Sequence, residues 1–342
     1  MAADLGHNIE PMQVLRRNDY DVTNTVQVSS TAAVTAAVGE LFRTTWPGAP
    51  FDRVARAFGD FDLLFTGRMP GYHGVDTVYH DRQHTLDMTL AAARLLVGYE
   101  RTAAPALRLG VDRTQLALVV ALFHDAGYIR ESGDRQHLNG AEFTPYHVTR
   151  SAHFIARYLP LIGMESWAPV ATRIVHFTGY EVPIDQIQLD DRRDRKLGQL
   201  LGTADLIAQM ADRCYLEKCR DRLYPEFVLG GIAATAEGGG APRVRYSSGL
   251  DLLRQTPRFV HETRIERLER GFEHAYRHVE ALFGGANPYL EAIERNLAYL
   301  DHVLRTARWQ MLRRNPPLFT AGDNQMPQVR GLMLDRLKAL WA

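Results

Sequence analysis

Residues Leu116–Asp125 read LALVVALFHD, and they decide how the rest of the chain is understood. Leu116 to Phe123 is apolar on every side, so a helix built from it lies deep in a core rather than at a surface. Asp112 with Gln115 three residues on predicts a capping box at its start, and Gly127 predicts its C-terminal stop. The helix then delivers His124 and Asp125 into the interior. A buried imidazole and carboxylate left unpaired cost several kcal/mol, so something must compensate them.

Working outward, helical periodicity begins near Thr31 and continues to about Arg213 as successive helices punctuated by Gly, Pro and Asp, without strand alternation. The expected fold class is all-α. Thr144-Pro145 starts a helix and Pro160 ends it; Pro169–Thr178, closed by Gly179, and Arg195–Arg213 read as two more. Residues 1–30 are polar and aperiodic and read as a disordered or surface-draped tail. The expected organisation is thus a tail (1–30), a helical domain (31–213) and a helical extension packed on it (214–342). That extension carries two long helices, about 258–283 and 288–314, the second opened by Asn287-Pro288. ATAEGGGAPR, residues 234–243, reads as a low-complexity loop.

Bulk composition narrows the function. Lys and Arg balance Asp and Glu at 40 each, so nothing points to nucleic acid or an acidic membrane surface. The two cysteines, Cys214 and Cys219, lack disulfide-framework or zinc-knot spacing and suit a reducing compartment. No signal-peptide core and no bilayer-length apolar run is present. A cytoplasmic protein is expected, neither exported by that route nor membrane-spanning.

Three further polar anomalies accompany His124-Asp125. YHDRQHTLDM, residues 79–88, sets His80 and His84 four apart where a helix begins. In RKLGQLLGTADLIAQMADR, Leu197, Leu201, Asp205 and Ala208 share one stripe, so Asp205 aims inward. In YHVTRSAHFIARYLP, His147 shares a face with Ser151, Ile155 and Tyr158, whereas His153 falls with Thr149, Arg150 and Arg157; His147 points in and His153 out. With His176 at the helix end IVHFTG, the series is His84, His124, Asp125, His147, His176 and Asp205. Metal binding accounts for all of them: imidazole with carboxylate suits Zn, Mn, Fe or Mg, and one bridging Asp commonly holds a binuclear centre.

The order His, His-Asp, His, His, Asp over about residues 79–213 resembles the HD superfamily of metal-dependent phosphohydrolases, all-helical proteins related to the cyclic-nucleotide phosphodiesterases. The resemblance rests on YHDRQHTLDM, ALFHDAGY, HVTRSAHFIARYLP and LGTADLIAQMADR taken in order. It implies an HD-type helical bundle, a divalent-metal cofactor of two ions, and hydrolysis of a small phosphorylated molecule by a metal-activated water. By position, His84, His124, Asp125 and Asp205 resemble the core ligands, with Asp125 the bridge, and His147 and His176 the ligands of the second metal. His80 resembles the histidine that protonates the leaving oxygen. The chain departs from relatives at Asp81, where the phosphodiesterases have Asn, at Tyr128, where many relatives have Lys, and in lacking the GYP tripeptide of the cyclic-dinucleotide branch. A mixed-valent di-iron oxygenase, which uses the same ligand order in some members of the superfamily, and a metal-binding scaffold with little turnover are the alternative readings.

Overall fold

The computed structural model describes residues 16–235 and 242–341. Residues 1–15 of the expected tail, and most of the Gly-rich stretch 234–243, lie outside the described residues. The ends of that stretch pair as antiparallel two-residue strands, β1 (Ala234–Thr235) and β2 (Arg243–Val244), with Ala234 opposite Val244. Otherwise the chain is all-α, with twelve α-helices among the described residues.

At the centre stands α3 (Arg82–Thr102), buried from Gln83 to Tyr99. The helix read from LALVVALF is α4 (Gly110–Phe123), buried from Thr114 onward, and α7 (Arg192–Ala211) completes the central layer. Each fully buried Leu, Val or Phe stabilises such a layer by roughly 1.5–3 kcal/mol against exposure. Around it pack α1 (Thr31–Thr45), α2 (Asp52–Phe65), α5 (His147–Tyr158) and α6 (Ala168–Ile174). From Tyr215 to Leu229 one helical run comprises α8 (Tyr215–Lys218), a π-helical turn at Cys219–Leu223 and α9 (Tyr224–Leu229). The chain finishes with α10 (Gly249–Thr263), α11 (Pro288–Thr306) and α12 (Gln325–Trp341). One hydrophobic core runs from Val22 to Leu312 and draws on both halves of the chain.

Several expectations are corrected. No capping box forms at Asp112: Gly110, at φ 71°, turns the chain into α4 two residues earlier, and the Glu100 carboxylate accepts from the N–H groups of Leu109 and Gly110 at 2.9 and 3.3 Å. Gln115 donates instead to the carbonyl of Pro50. Gly127 is not a left-handed helix stop. A Cβ there would lie 1.9 Å from the carbonyl oxygen of His147, so glycine is what lets α5 pack against the turn after Asp125.

Residues 16–30 are no tail. Asp21 is fully buried, accepts from Thr25 N–H and Val26 N–H at 2.9 and 2.8 Å, and pairs with Arg94 of α3 at 2.6 Å. The polar run closes a turn around one carboxylate, which aperiodicity alone does not reveal. The helix expected at 258–283 begins earlier, at Gly249, and passes into a π-helical stretch at Arg264–Gly271. It breaks where Glu273 and His274 take φ 53° and 56°, then resumes as a 3-10 helix at Ala275–Leu282. Asn287 caps α11 as expected, but that helix ends at Thr306, with Ala307 left-handed.

After α11 the chain returns across the start of α3. Phe319 donates its N–H to Asp81 Oδ2 and its carbonyl accepts from Arg82 N–H, both at 3.2 Å; Ala321 N–H reaches the carbonyl of Val75 at 2.8 Å. Arg222 donates to the carbonyls of Pro316 and Pro317. Beyond this strap, α12 seats Val329 in a small second cluster with Val78, Ala141 and Leu229. No helix among the described residues is long and apolar enough to cross a membrane.

Candidate metal centre

Three central helices deliver the site. Asp81 caps α3, its Oδ1 accepting from His84 N–H at 3.2 Å, which places His84 in the first turn. His124 and Asp125 follow the last residue of α4, and Asp205 comes from the middle of α7. All four are buried. His84 Nε2 lies 3.4 Å from Asp125 Oδ2 and 3.3 Å from Asp205 Oδ1; His124 Nε2 lies 3.2 and 3.7 Å from the same oxygens.

His84, His124 and Asp205 form a buried group able to hold a metal ion. His124 Nε2, Asp125 Oδ2 and Asp205 Oδ1 are buried without a hydrogen-bond partner, a costly arrangement unless a shared ion completes it. Ligands about 2.1 Å from one ion stand about 3.0–3.4 Å apart in octahedral or tetrahedral arrangement, close to the edges seen here. His124 Nδ1 sits 2.8 Å from the carbonyl of Ala121, so that nitrogen carries the proton and Nε2 keeps its lone pair toward the centre. The residues therefore fit a metal ion.

Electrostatics point the same way. Burial opposes charge on His84, yet the Asp125 and Asp205 carboxylates beside it raise its pKa to about 10. Burial likewise opposes charge on Asp125, but His124 and His84 hold its carboxyl well below the usual range. The cluster strongly favours cationic charge between its two carboxylates, whether that charge is a proton or a metal.

The other expected site residues divide. His147, first residue of α5, turns Nε2 toward Asp125 Oδ1 at 3.8 Å, while its Nδ1 lies 2.9 Å from the Thr144 carbonyl. Asp125 thus faces His84 and His124 with one oxygen and His147 with the other. His153, on the same helix, is exposed, as its phase predicts. His176 lies in a 3-10 turn, Val175–Thr178, with a buried Nδ1 that has no partner. It makes no ion pair or ring contact with the other site residues; burial lowers its pKa, with Glu181 opposing and His153 reinforcing the shift. His80 stands beside the cluster, its ring centroid 5.6 Å from that of His84 and 6.2 Å from that of His147.

Two residues were missed, and a third, Tyr128, stood out only as a departure from the family pattern. Glu226, fully buried in α9, binds His80 Nδ1 through Oε2 and Tyr79 N–H through Oε1, each at 2.6 Å. A glutamate within the apolar run YPEFVL was its signal, the same kind that identified Asp205. Glu181 caps α5 from a distance, accepting from Val148 N–H at 2.6 Å and Thr149 N–H at 2.9 Å; no sequence pattern announces that pairing. Tyr128 stacks on both His80 and His147.

Residues 134–278 match the Npun_R2479-like family model. The match takes in His147, His176, Asp205 and Glu226 and leaves out His80, His84, His124 and Asp125, so it spans less than half of the chain and only part of the centre. No curated protein and no solved structure matches the chain.

Proposed function

We propose that the protein is a metal-dependent phosphohydrolase of the HD type, cleaving a phosphoester of a small molecule, such as a nucleotide, with a metal-activated water. The observation that carries the reading is the meeting of three unpartnered buried ligand atoms, on His124, Asp125 and Asp205, beside a histidine held by its own carboxylate, Glu226. A divalent ion held by His84, His124, Asp125 and Asp205 would lower the pKa of bound water enough to supply hydroxide near neutral pH and would screen the phosphate oxygens.

The protein groups then divide the remaining work. Asp125 turns one oxygen toward His84 and His124 and the other toward His147; were two ions bound, Asp125 would be the ligand common to both and His147 would help hold the second. Glu226 accepts a hydrogen bond from His80 Nδ1, which leaves Nε2 as the position from which the imidazolium form would give its second proton to the departing alkoxide. The nearly complete burial of the four core residues excludes bulk water from the ligand atoms. His176 makes no ion pair or ring contact with these residues, and its assignment as second-metal ligand rests on sequence order and on the helix end at IVHFTG.

Elemental analysis of the purified chain, joined to a screen of phosphomonoesters, phosphodiesters and nucleotides with Mn, Fe, Zn and Mg, tests the proposal. Metal-dependent release of phosphate or of an alcohol is expected. Iron with oxygen consumption and no phosphoester cleavage would overturn it.

A further inference from the structure

We propose that Tyr128 is a positioning residue that holds the imidazoles of His80 and His147 in one aromatic corner beside Asp125, so that the proton carrier and the second histidine keep a fixed mutual orientation. The role given to His80 rests on the phosphohydrolase reading; the geometry of the corner does not.

The Tyr128 ring is almost fully buried. Its centroid lies 4.5 Å from that of His80 and 4.3 Å from that of His147, with planes 19° apart in both cases. These are stacking contacts, favourable for aromatic faces that overlap with an offset. Each imidazole is otherwise tied at Nδ1, His80 to Glu226 and His147 to the Thr144 carbonyl. One hydrogen bond fixes a point on a ring but leaves the ring free to swing about that point. A flat neighbour removes the swing, and here one neighbour serves two rings.

The backbone of Tyr128 is itself held in register with the metal centre. Its N–H bonds the carbonyl of Asp125 at 3.1 Å, and its own carbonyl is approached so closely that a Cβ on Gly140 would come within 2.1 Å. Burial, reinforced by Asp125 and Glu226, pushes the phenol far above its ordinary range, so the side chain stays neutral and acts through its ring face. The expected equivalence is therefore Tyr with Phe, and not with an aliphatic side chain.

The experiment uses the full chain loaded with zinc, with histidine rings and Tyr128 isotopically labelled for NMR. Cross-relaxation from Tyr128 ring protons to carbon-bound protons of both His80 and His147 is expected in the unsubstituted protein, and its absence overturns the proposal without any variant. The His80 Nδ1 proton, assigned by its loss in His80→Gln, should persist in Tyr128→Phe. In Tyr128→Leu it should exchange with water roughly tenfold faster, as a loosened ring opens more often. An unchanged exchange rate in a folded Tyr128→Leu protein overturns the proposal. If Tyr128→Leu does not fold, the cross-relaxation result decides. None of these readouts needs turnover, so a protein that cleaves no phosphoester but shows the ring contacts refutes the phosphohydrolase reading and leaves the positioning role standing.

Discussion

Glu226 Oε2 lies 2.6 Å from His80 Nδ1, which joins the histidine of the opening motif to a carboxylate 146 residues later in the chain. His80→Ala should keep the metal and lose turnover by roughly a hundred- to ten-thousandfold, the range for a missing general acid. Glu226→Gln should fall in the same direction by less. Comparing a nitrophenyl ester with an alkyl ester checks the role: the good leaving group needs no proton, so its rate should suffer less. Equal losses on both esters would make His80 a substrate-positioning group.

Metal binding should release protons. The metal-free pKa of His84 is raised to about 10 by Asp125 and Asp205 against its burial, so at neutral pH this imidazole is protonated and must lose that proton to bind a cation. Zinc affinity should rise about tenfold per pH unit between roughly pH 6 and 9 for one displaced proton. Calorimetry in two buffers of different ionisation enthalpy measures the number released. His124→Ala should reduce zinc binding below detection under the same conditions, because it removes an unpartnered ligand atom.

His147 and His153 serve as controls for each other on α5. If the chain holds two ions, as proposed, His147→Ala should depress activity and bring the metal content, read by elemental analysis, down toward one ion per chain. His153 is exposed, and His153→Ala should change stability by no more than about 0.5 kcal/mol and leave metal content alone. Loss of metal in the His153 variant only would overturn the assignment.

Acid stability should depend on Asp21. Burial opposes its charge, but Arg94, Thr23 and the Val26 N–H lower its pKa to about 2, below the ordinary carboxylate range. A carboxylate with a depressed folded-state pKa stabilises the fold above its unfolded pKa, and that contribution disappears as pH falls through the folded value. The contribution is on the order of 2 kcal/mol. Asp21→Asn should be markedly less stable than the unsubstituted protein at pH 7, with Arg94 left buried and unpaired. Urea unfolding at intervals from pH 5 to pH 2 should show the difference narrowing by about that amount.

The core of the site was legible because buried polar residues stand out inside apolar stripes. Asp205 among Leu197, Leu201 and Ala208, and His124-Asp125 after LALVVALF, needed only helical phase to be found, and phase also separated His147 from His153. The misreadings arose where chain geometry depends on distant partners. Gly127 looked like a helix stop because a Gly after a helix usually is one; its real constraint, the carbonyl of His147, is invisible before α5 is docked. Asp21 looked like part of a polar tail because Arg94, its partner, sits 73 residues away. The break at Glu273 and His274 depends on left-handed backbone in two non-glycine residues, for which the local sequence offers no signal.

The strap through Phe319 bears on how the protein is made. Its bond to Asp81 joins positions 238 residues apart, and Asp81 is the residue that caps α3 at His84. On the ribosome, at roughly 5–20 residues per second, the cap must wait on the order of ten seconds or more for its last partner to emerge. Until then the cap lacks one of its native contacts. Released chains truncated before residue 315 should therefore differ from the 342-residue chain in protease resistance around residues 75–82, a region where the backbone partner of Asp81 lies 238 residues further along the sequence.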